Sequence, residues 1–321
     1  MFFLQVRMML LLGVLFAIIY AVMTVVGVSM GIGNFYFYLF LSVGMMLVQY
    51  FIGPKLVEWT MRVKYVSRNE APQLFQMVEE LSRKAGIPMP RVAIADIPLP
   101  NAFAFGRGLS DGRVCVTRGI TQLLEPVELR AVLGHELTHL KNRDVLTITI
   151  LSVIPMLLYR LAWQFLFFGG DRRREGGANT ALIGMAAFLF YFITNLLVLY
   201  ASRIREYFAD RGSIELGNPP AALATALYKL AYGAARVDRS RLAEVEGLKA
   251  FFINDPSQAR NEVRDLRELD LDKSGTIDAD ELMVLERKHV QLGFTDRMME
   301  LLSTHPNMLK RIKMLSEYKK A

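Results

Sequence analysis

Hydrophobic and polar positions fall in long blocks along this chain, and the blocks predict two membrane segments set around the halves of one folded domain. Residues 8–54 contain no charged side chain, a run far longer than the roughly 7–15 apolar residues of a signal-peptide core. Gly27, Gly31, Gly33 and Asn34 interrupt it. The remaining stretches, 9–28 and 35–52, each approach the roughly 20 residues that cross a hydrocarbon core as helix. Residues 1–54 are therefore expected to form a transmembrane helical hairpin, kept as an anchor because no small-residue cleavage site follows a short apolar core. A second apolar pair, 145–168 and 178–201, flanks the polar sequence Gly-Gly-Asp-Arg-Arg-Arg-Glu-Gly-Gly. Arg160 lies inside its first member, one turn after Pro155, and a mid-membrane charge is costly unless it snorkels or meets a partner. The segment 145–202 thus either spans the bilayer or dips in and returns.

Elsewhere the period is that of a water-facing domain. Ala71-Pro72 opens a helix whose Leu74, Met77, Val78 and Leu81 share one face, and Gly86 is placed to end it. Val92-Ala93-Ile94 and the stretch around Phe103 to Phe105 read as strands, with Asp111-Gly112 a tight hairpin signal before Val114-Cys115-Val116. Pro126 opens a longer helix through Leu129, Val132, Leu133, Leu137 and Leu140. An even number of crossings returns 55–144 and 203–321 to one side, where they can build a single α+β domain. Arg7 before the first hairpin and Lys55, Arg62, Lys64 and Arg68 after it place that side in the cytoplasm. The arginines between the second pair would then face outward, against the same rule.

Composition narrows the partners. With 53% hydrophobic and 21% charged positions the chain is neither disordered nor fibrous. Its net charge of +7 is spread without a dense basic stripe, which excludes nucleic acid as a partner. The single cysteine, Cys115, forms no internal disulfide, so no oxidising compartment is required.

The chemistry concentrates on the Pro126 helix. In His135-Glu136-Leu137-Thr138-His139 a spacing of four puts both imidazoles on one face, one turn apart, able to hold one tetrahedral zinc, while Glu136 projects beside them as a general base. Zinc needs a third protein ligand and an open fourth position. The helix around Arg205-Glu206-Tyr207-Phe208-Ala209-Asp210 offers Glu206 as that ligand, and Asp210, one turn on, as an acceptor that fixes the tautomer of a bound histidine. A surface Glu206 paired to Arg203 or Lys229 is the competing reading.

A second cation motif follows. Asp270, Asp272, Ser274, Thr276, Asp278 and Glu281 occupy positions 1, 3, 5, 7, 9 and 12 of an EF-hand calcium loop, with Gly275 at the sharp turn. Leu266, Leu269, Leu282 and Leu285 supply apolar positions on flanking helices within 261–290. Such loops usually pair through a short strand, here near Thr276 to Asp278, and the chain has no second loop; another copy, a different EF-hand protein or nothing would complete it.

Asn101-Ala102-Phe103-Ala104-Phe105-Gly106, Gly134-His135-Glu136-Leu137-Thr138-His139, Arg205-Glu206-Tyr207-Phe208-Ala209-Asp210 and Thr304-His305-Pro306 occur in the order of one family. The chain resembles the HtpX-type proteases of peptidase family M48. The resemblance implies an integral membrane α+β protein with a zincin-type (gluzincin) domain interrupted by the second hydrophobic helix pair. It implies a zinc endopeptidase of the bacterial inner membrane, acting on misfolded or damaged membrane proteins, with His135, His139 and Glu206 as ligands and Glu136 as catalyst. Asn101, Ala102, Phe103 and Ala104 would form an edge strand that pairs with extended substrate, although ordinary sheet packing accounts equally well for the phenyl rings. His305 would either donate to the developing oxyanion or cap the following helix. Calcium modulation and self-association through the EF-hand are further expectations. A membrane-anchored calcium sensor or scaffold with a vestigial protease site is the alternative, against which the intact ligand set and Glu136 speak.

Overall fold

The computed structural model describes residues 35–167, 177–235, 266, 269–287 and 293–318. The expected first membrane helix, 9–28, the arginine-rich connection at 168–176 and most of the approach to the acidic loop lie outside the described residues.

Helix α1 spans Phe35–Thr60, beyond the 35–52 expected, passing through Pro54 before Arg62 turns the chain with a φ of 49°. Phe40, Phe51, Ile52 and Trp59 on it are exposed, whereas Val57 and Met61 at its end are buried. The chain then forms β1 (Val63–Tyr65), α2 (Pro72–Ala85), β2 (Arg91–Ala95), β3 (Ala102–Phe105) and β4 (Arg113–Thr117). Leu74, Val78 and Leu81 form the buried face of α2, and Gly86 ends it at a φ of 68°, the left-handed cap that glycine adopts without a Cβ clash.

The strands lie in the order β1-β2-β4-β3, with β2 and β4 parallel and the outer pairs antiparallel. This leaves β3 at an edge. The β3–β4 connection is not the two-residue turn expected at Asp111-Gly112. It contains a 3₁₀ turn at Leu109–Asp111, and Gly112 has a φ of −65°, where a type I′ turn needs a positive value. The Asp111 carboxylate instead collects Arg107 at 2.7 Å and Arg113 at 3.0 Å.

One face of the sheet packs Phe103, Phe105, Ala93 and Cys115 against Val57 and Met61 of α1. The other, through Val92, Val114 and Val116, receives α2, α3 (Arg118–Leu123) and α4 (Pro126–Lys141). Glu128 accepts the Glu125 N–H at 2.9 Å, occupying one donor at the start of α4.

The second apolar pair departs from two continuous helices. Its first member is split into α5 (Asp144–Leu151) and α6 (Val153–Phe167). Pro155 explains the break, since it has no N–H for the Leu151 carbonyl and its ring would clash there. Arg160 is buried at 8% exposure. The second member is α7 (Gly177–Glu215), 39 residues without interruption and about 58 Å long. Within it Ala181–Glu215 is, by length and composition, the one helix among the described residues suited to cross a membrane. Its Leu182, Phe188, Phe192 and Leu197 are exposed. A Cβ on Gly184 would lie 2.7 Å from the Leu166 side chain, so glycine sets the close approach of α6 and α7. Helices α8 (Pro220–Ala235), α9 (Ala279–Arg287), α10 (Phe294–Leu301) and α11 (Met308–Glu317) complete the described fold.

Candidate active site

The site forms where α4 crosses the last third of α7. Two glycines permit the crossing: a Cβ on Gly134 would sit 2.4 Å from Asn218 Nδ2, and one on Gly212 would sit 2.3 Å from Thr138 Cγ2. The crossing brings His135, His139 and Glu206 together. His135 Nε2 lies 3.1 Å from His139 Nε2 and 3.6 Å from Glu206 Oε2, and His139 Nε2 lies 3.5 Å from Glu206 Oε1. Neither basic residue considered as a surface partner takes Glu206. Lys229 pairs with Glu128 at 2.7 Å, and Arg203 donates to the carbonyls of Glu300, Leu301 and Ser303.

Each of these groups has a second partner behind it. His135 Nδ1 lies 2.8 Å from Asp210 Oδ1, and His139 Nδ1 lies 2.6 Å from Asp144 Oδ2. Asp144 in turn pairs with Arg205. Arg311, fully buried, donates from Nε to Asp210 Oδ2 at 2.9 Å and from Nη2 to Oδ1 at 2.6 Å, and its Nη1 lies 3.2 Å from Glu206 Oε2. His305 Nδ1 lies 3.3 Å from Glu206 Oε2. His305 does not cap α11; Asn307 does, accepting the Leu309 N–H at 2.9 Å.

These surroundings polarise the donors. Burial works to lower the His135 imidazole, but its bonds to Asp210 and Glu206 prevail and carry it to about 9. Desolvation takes the half-buried His139 beside it down to about 4. Burial raises the Glu136 carboxyl above the usual carboxylate range, against the pull of both imidazoles.

Sequence reasoning missed Arg311 and Asp144. Arg311 carried a legible signal, because Met308, Ile312 and Leu315 mark the buried face of α11 and Arg311 falls on that face. A basic residue so placed needs a buried acid. Asp144 carried none, since it follows the turn at Asn142-Arg143, where Arg143 has a φ of 55° that its sequence does not announce.

Glu136 is joined to the sheet edge. Its Oε2 accepts the Ala104 N–H at 2.8 Å, so the general-base candidate touches the backbone of β3. Phe103 and Phe105 are 5% exposed and pack beneath the sheet toward α1. Asn101 is buried, and its N–H donates to Thr117 Oγ1 at 2.8 Å. Far along the chain, Asp270, Asp272 and Glu281 bring carboxylate oxygens within 4.8 Å of one another, in the loop that also holds Ser274, Thr276 and Asp278.

The donor set fits zinc. A tetrahedral ion with bonds of about 2.0–2.1 Å keeps its ligands about 3.3–3.4 Å apart, close to the 3.1 Å between the two imidazole nitrogens and the 3.5–3.6 Å from each of them to a Glu206 oxygen. Glu206 Oε2 is moreover buried among Arg311, His305 and His135, none of which meets it in good hydrogen-bond geometry.

The model of peptidase family M48 matches residues 68–319. A protease HtpX homolog of Methanothermobacter thermautotrophicus is 51% identical over 238 residues, 74% of this chain and 90% of its own length. Another, of Moorella thermoacetica, is 40% identical over 250 residues, 76% of this chain and 82% of its own. The crystal structure of S. mikatae Ste24p shares the fold, with a TM-score of 0.54 at 15% identity, covering 99% of this chain and 67% of that one. The chain thus belongs to peptidase family M48, and the enzyme it encodes is a zinc metalloprotease.

Proposed function

We propose that this protein is a membrane-bound endopeptidase in which His135, His139 and Glu206 hold zinc and Glu136 accepts the proton of the attacking water. The observation that carries the reading is the convergence of two imidazole Nε2 atoms, 3.1 Å apart, on the two oxygens of the Glu206 carboxylate at 3.5–3.6 Å, beside a buried carboxylate bonded to an edge strand. Zinc, when bound, supplies Lewis acidity that makes water a nucleophile near neutral pH. Glu136, its carboxyl raised by burial, takes that proton and returns it to the leaving amine. Asp210 and Asp144 hold the two imidazoles by Nδ1, leaving Nε2 for the metal. His305, half-buried beside Glu206, is the donor to the carbonyl oxygen of the scissile bond.

Substrate enters as an extended segment along the outer edge of β3, in the stretch Asn101, Ala102, Phe103 and Ala104; the Asn101 backbone is held by Thr117 and the Ala104 N–H by Glu136, so Ala102 and the Ala104 carbonyl are the groups that pair with it, while the side chains of Phe103 and Phe105 serve the core. Misfolded or damaged membrane proteins are the substrate class. The support is α7, which carries Glu206 on the same uninterrupted helix as the apolar stretch and so sets the site close to a bilayer. Residues 1–54 and 145–202 anchor the chain in the inner membrane, and 55–144 with 203–321 form the catalytic domain on the cytoplasmic side. Calcium enters as a modulator through 270–281. The test is cleavage of an unfolded protein such as casein by detergent-purified full-length enzyme, with and without added zinc, beside Glu136→Gln. Turnover that is zinc-dependent and absent in Glu136→Gln supports the reading; zinc-independent turnover, or full activity in the variant, overturns it.

A further inference from the structure

The 270–281 loop plays no part in the peptidase chemistry, yet its side chains converge. Asp270, Asp272 and Glu281 bring oxygens within 4.8 Å of one another, and Asp270 and Glu281 are 9% and 7% exposed. Among the described residues no lysine or arginine forms an ion pair with any of them, or with Asp278. Buried carboxylates without a counter-charge are unfavourable. The loop's own N–H groups take up part of the charge. Gly275 donates to Asp270 Oδ2, Ser274 to Asp272 Oδ1, and Leu271 and Asp278 to the two oxygens of Glu281. Tyr228 OH also donates to Asp270 Oδ2, at 2.9 Å. Asp270 Oδ1, in the first position of the loop, is left buried with no hydrogen-bond partner, on a side chain that brings an oxygen within 4.8 Å of Asp272 and Glu281.

The difficulty with a lone EF-hand is its middle residue, whose N–H and C=O ordinarily pair with a second loop. Here that residue is Ile277, 1% exposed, and both groups are satisfied from within the chain. Thr225 Oγ1 on α8 donates to the Ile277 carbonyl at 2.8 Å and accepts the Ile277 N–H at 3.0 Å. A hydroxyl is donor and acceptor at once, so one side chain supplies the two bonds that a residue of an opposing antiparallel strand would exchange. Leu266, Leu269, Ile277, Leu282 and Leu285 join the main hydrophobic core of the same chain, while Leu271, Met283 and Val284 stay exposed.

We infer that 270–281 is a calcium site complete in one copy of the chain, with Thr225 in place of a second EF-hand. Asp270, Asp272, Ser274, the Thr276 carbonyl, Asp278 and Glu281 are its oxygen donors. This goes beyond the peptidase reading and stands or falls independently of it.

The test titrates calcium chloride into zinc-loaded full-length protein in detergent by calorimetry, with sedimentation analysis at each end of the titration. One calcium per chain with unchanged oligomeric mass is expected. Asp272→Asn and Glu281→Gln, each with one negative ligand fewer, should weaken binding by about tenfold or more. Thr225→Val removes no ligand and should still weaken calcium several-fold while zinc content stays constant. No binding up to about 10 mM, beyond the weakest class of such sites, overturns the site, as does equal affinity in wild type and both acid variants. Asp272 is exposed, so its variant reports even if Glu281→Gln folds poorly. Unchanged affinity in Thr225→Val, or calcium-driven dimerisation, overturns closure within one chain.

Discussion

The two acidic clusters of this protein are built on opposite plans. The proposed zinc ligands come from α4 and α7, and the network behind them reaches 176 residues along the chain, from His135 to Arg311. Each ligand rests on another side chain, and Arg311 and Arg205 supply positive charge behind the carboxylates. The 270–281 loop is local and, among the described residues, borrows only Thr225 and Tyr228 from outside. Among the described residues no basic side chain pairs with its acids. A site held by the fold keeps its shape without an ion, whereas a site held by its own turns depends on the ion for its balance of charge. Removing zinc should therefore abolish activity with little structural loss, and removing calcium should loosen structure with little loss of activity.

The largest effect tests the chemistry alone. Glu136→Gln should retain zinc and lower turnover by on the order of 10²–10⁴-fold, the usual contribution of a positioned proton acceptor. The amide fills the same space and can still accept the Ala104 N–H. Metal analysis beside a cleavage assay decides it, and retained turnover removes Glu136 from the mechanism. Glu206→Ala should lose the metal as well. Equal zinc content in this variant and wild type after dialysis would mean that another carboxylate is the third ligand.

Arg311 tests whether the fold holds the zinc site. Arg311→Met leaves Asp210, 1% exposed, without its bidentate partner, and breaking a buried pair from one side costs about 3–5 kcal/mol. Zinc affinity should fall by about 10–100-fold as His135 loses its fixed orientation. Adding Asp210→Asn removes the stranded charge, so the double variant should recover part of the lost melting temperature while zinc binding stays weak. If the double variant is no more stable than Arg311→Met, the pair does not act as a unit. Gly212→Ala probes the same support sterically: a methyl group set 2.3 Å from Thr138 Cγ2 must push α7 from α4 and separate Glu206 from the histidines.

What the sequence reveals follows the same division. The EF-hand pattern of 270–281 can be read position by position because all its candidate donors lie within one short segment, and the His135-Glu136-Leu137-Thr138-His139 spacing is legible because a helix turns four residues into one face. Glu206 and Asp210 are legible as a pair for that reason too. What joins the pairs is not, since Asp144 approaches His139 after a positive-φ turn and Arg311 approaches Asp210 through the packing of α11. In the fold, the Pro72–Ala85 helix with its Gly86 cap follows from local rules. The split between α5 and α6 was readable at Pro155 but is hidden by an unbroken apolar run. The long β3–β4 connection escapes because Asp111 serves arginines around it in place of the turn that Asp-Gly suggests.

The smallest effect tests whether the two clusters communicate. Helix α11 stands between them, with Arg311 directed to Asp210 and Glu206, and Lys313 donating to the carbonyls of Leu285 at 3.0 Å and Glu286 at 2.6 Å, at the end of α9. Calcium that fixes the loop fixes the start of α9, where Glu281 N–H is bonded to Asp278 Oδ1 at 2.8 Å. A ligand at one hundred times its dissociation constant stabilises the folded state by about 2.7 kcal/mol. Calcium should therefore raise the melting temperature by several degrees, and it should change turnover by no more than a few-fold, because the zinc network has its own supports. Lys313→Met cuts the only contact that runs from α9 to α11 through a charged side chain among the described residues. It should leave the calcium-dependent rise in melting temperature in place and remove the change in turnover. Calcium titrations of both properties at constant zinc separate the two. A turnover response that survives Lys313→Met would mean that the loop reaches the zinc site through α8 and Thr225, or through the shared core, and not through α11.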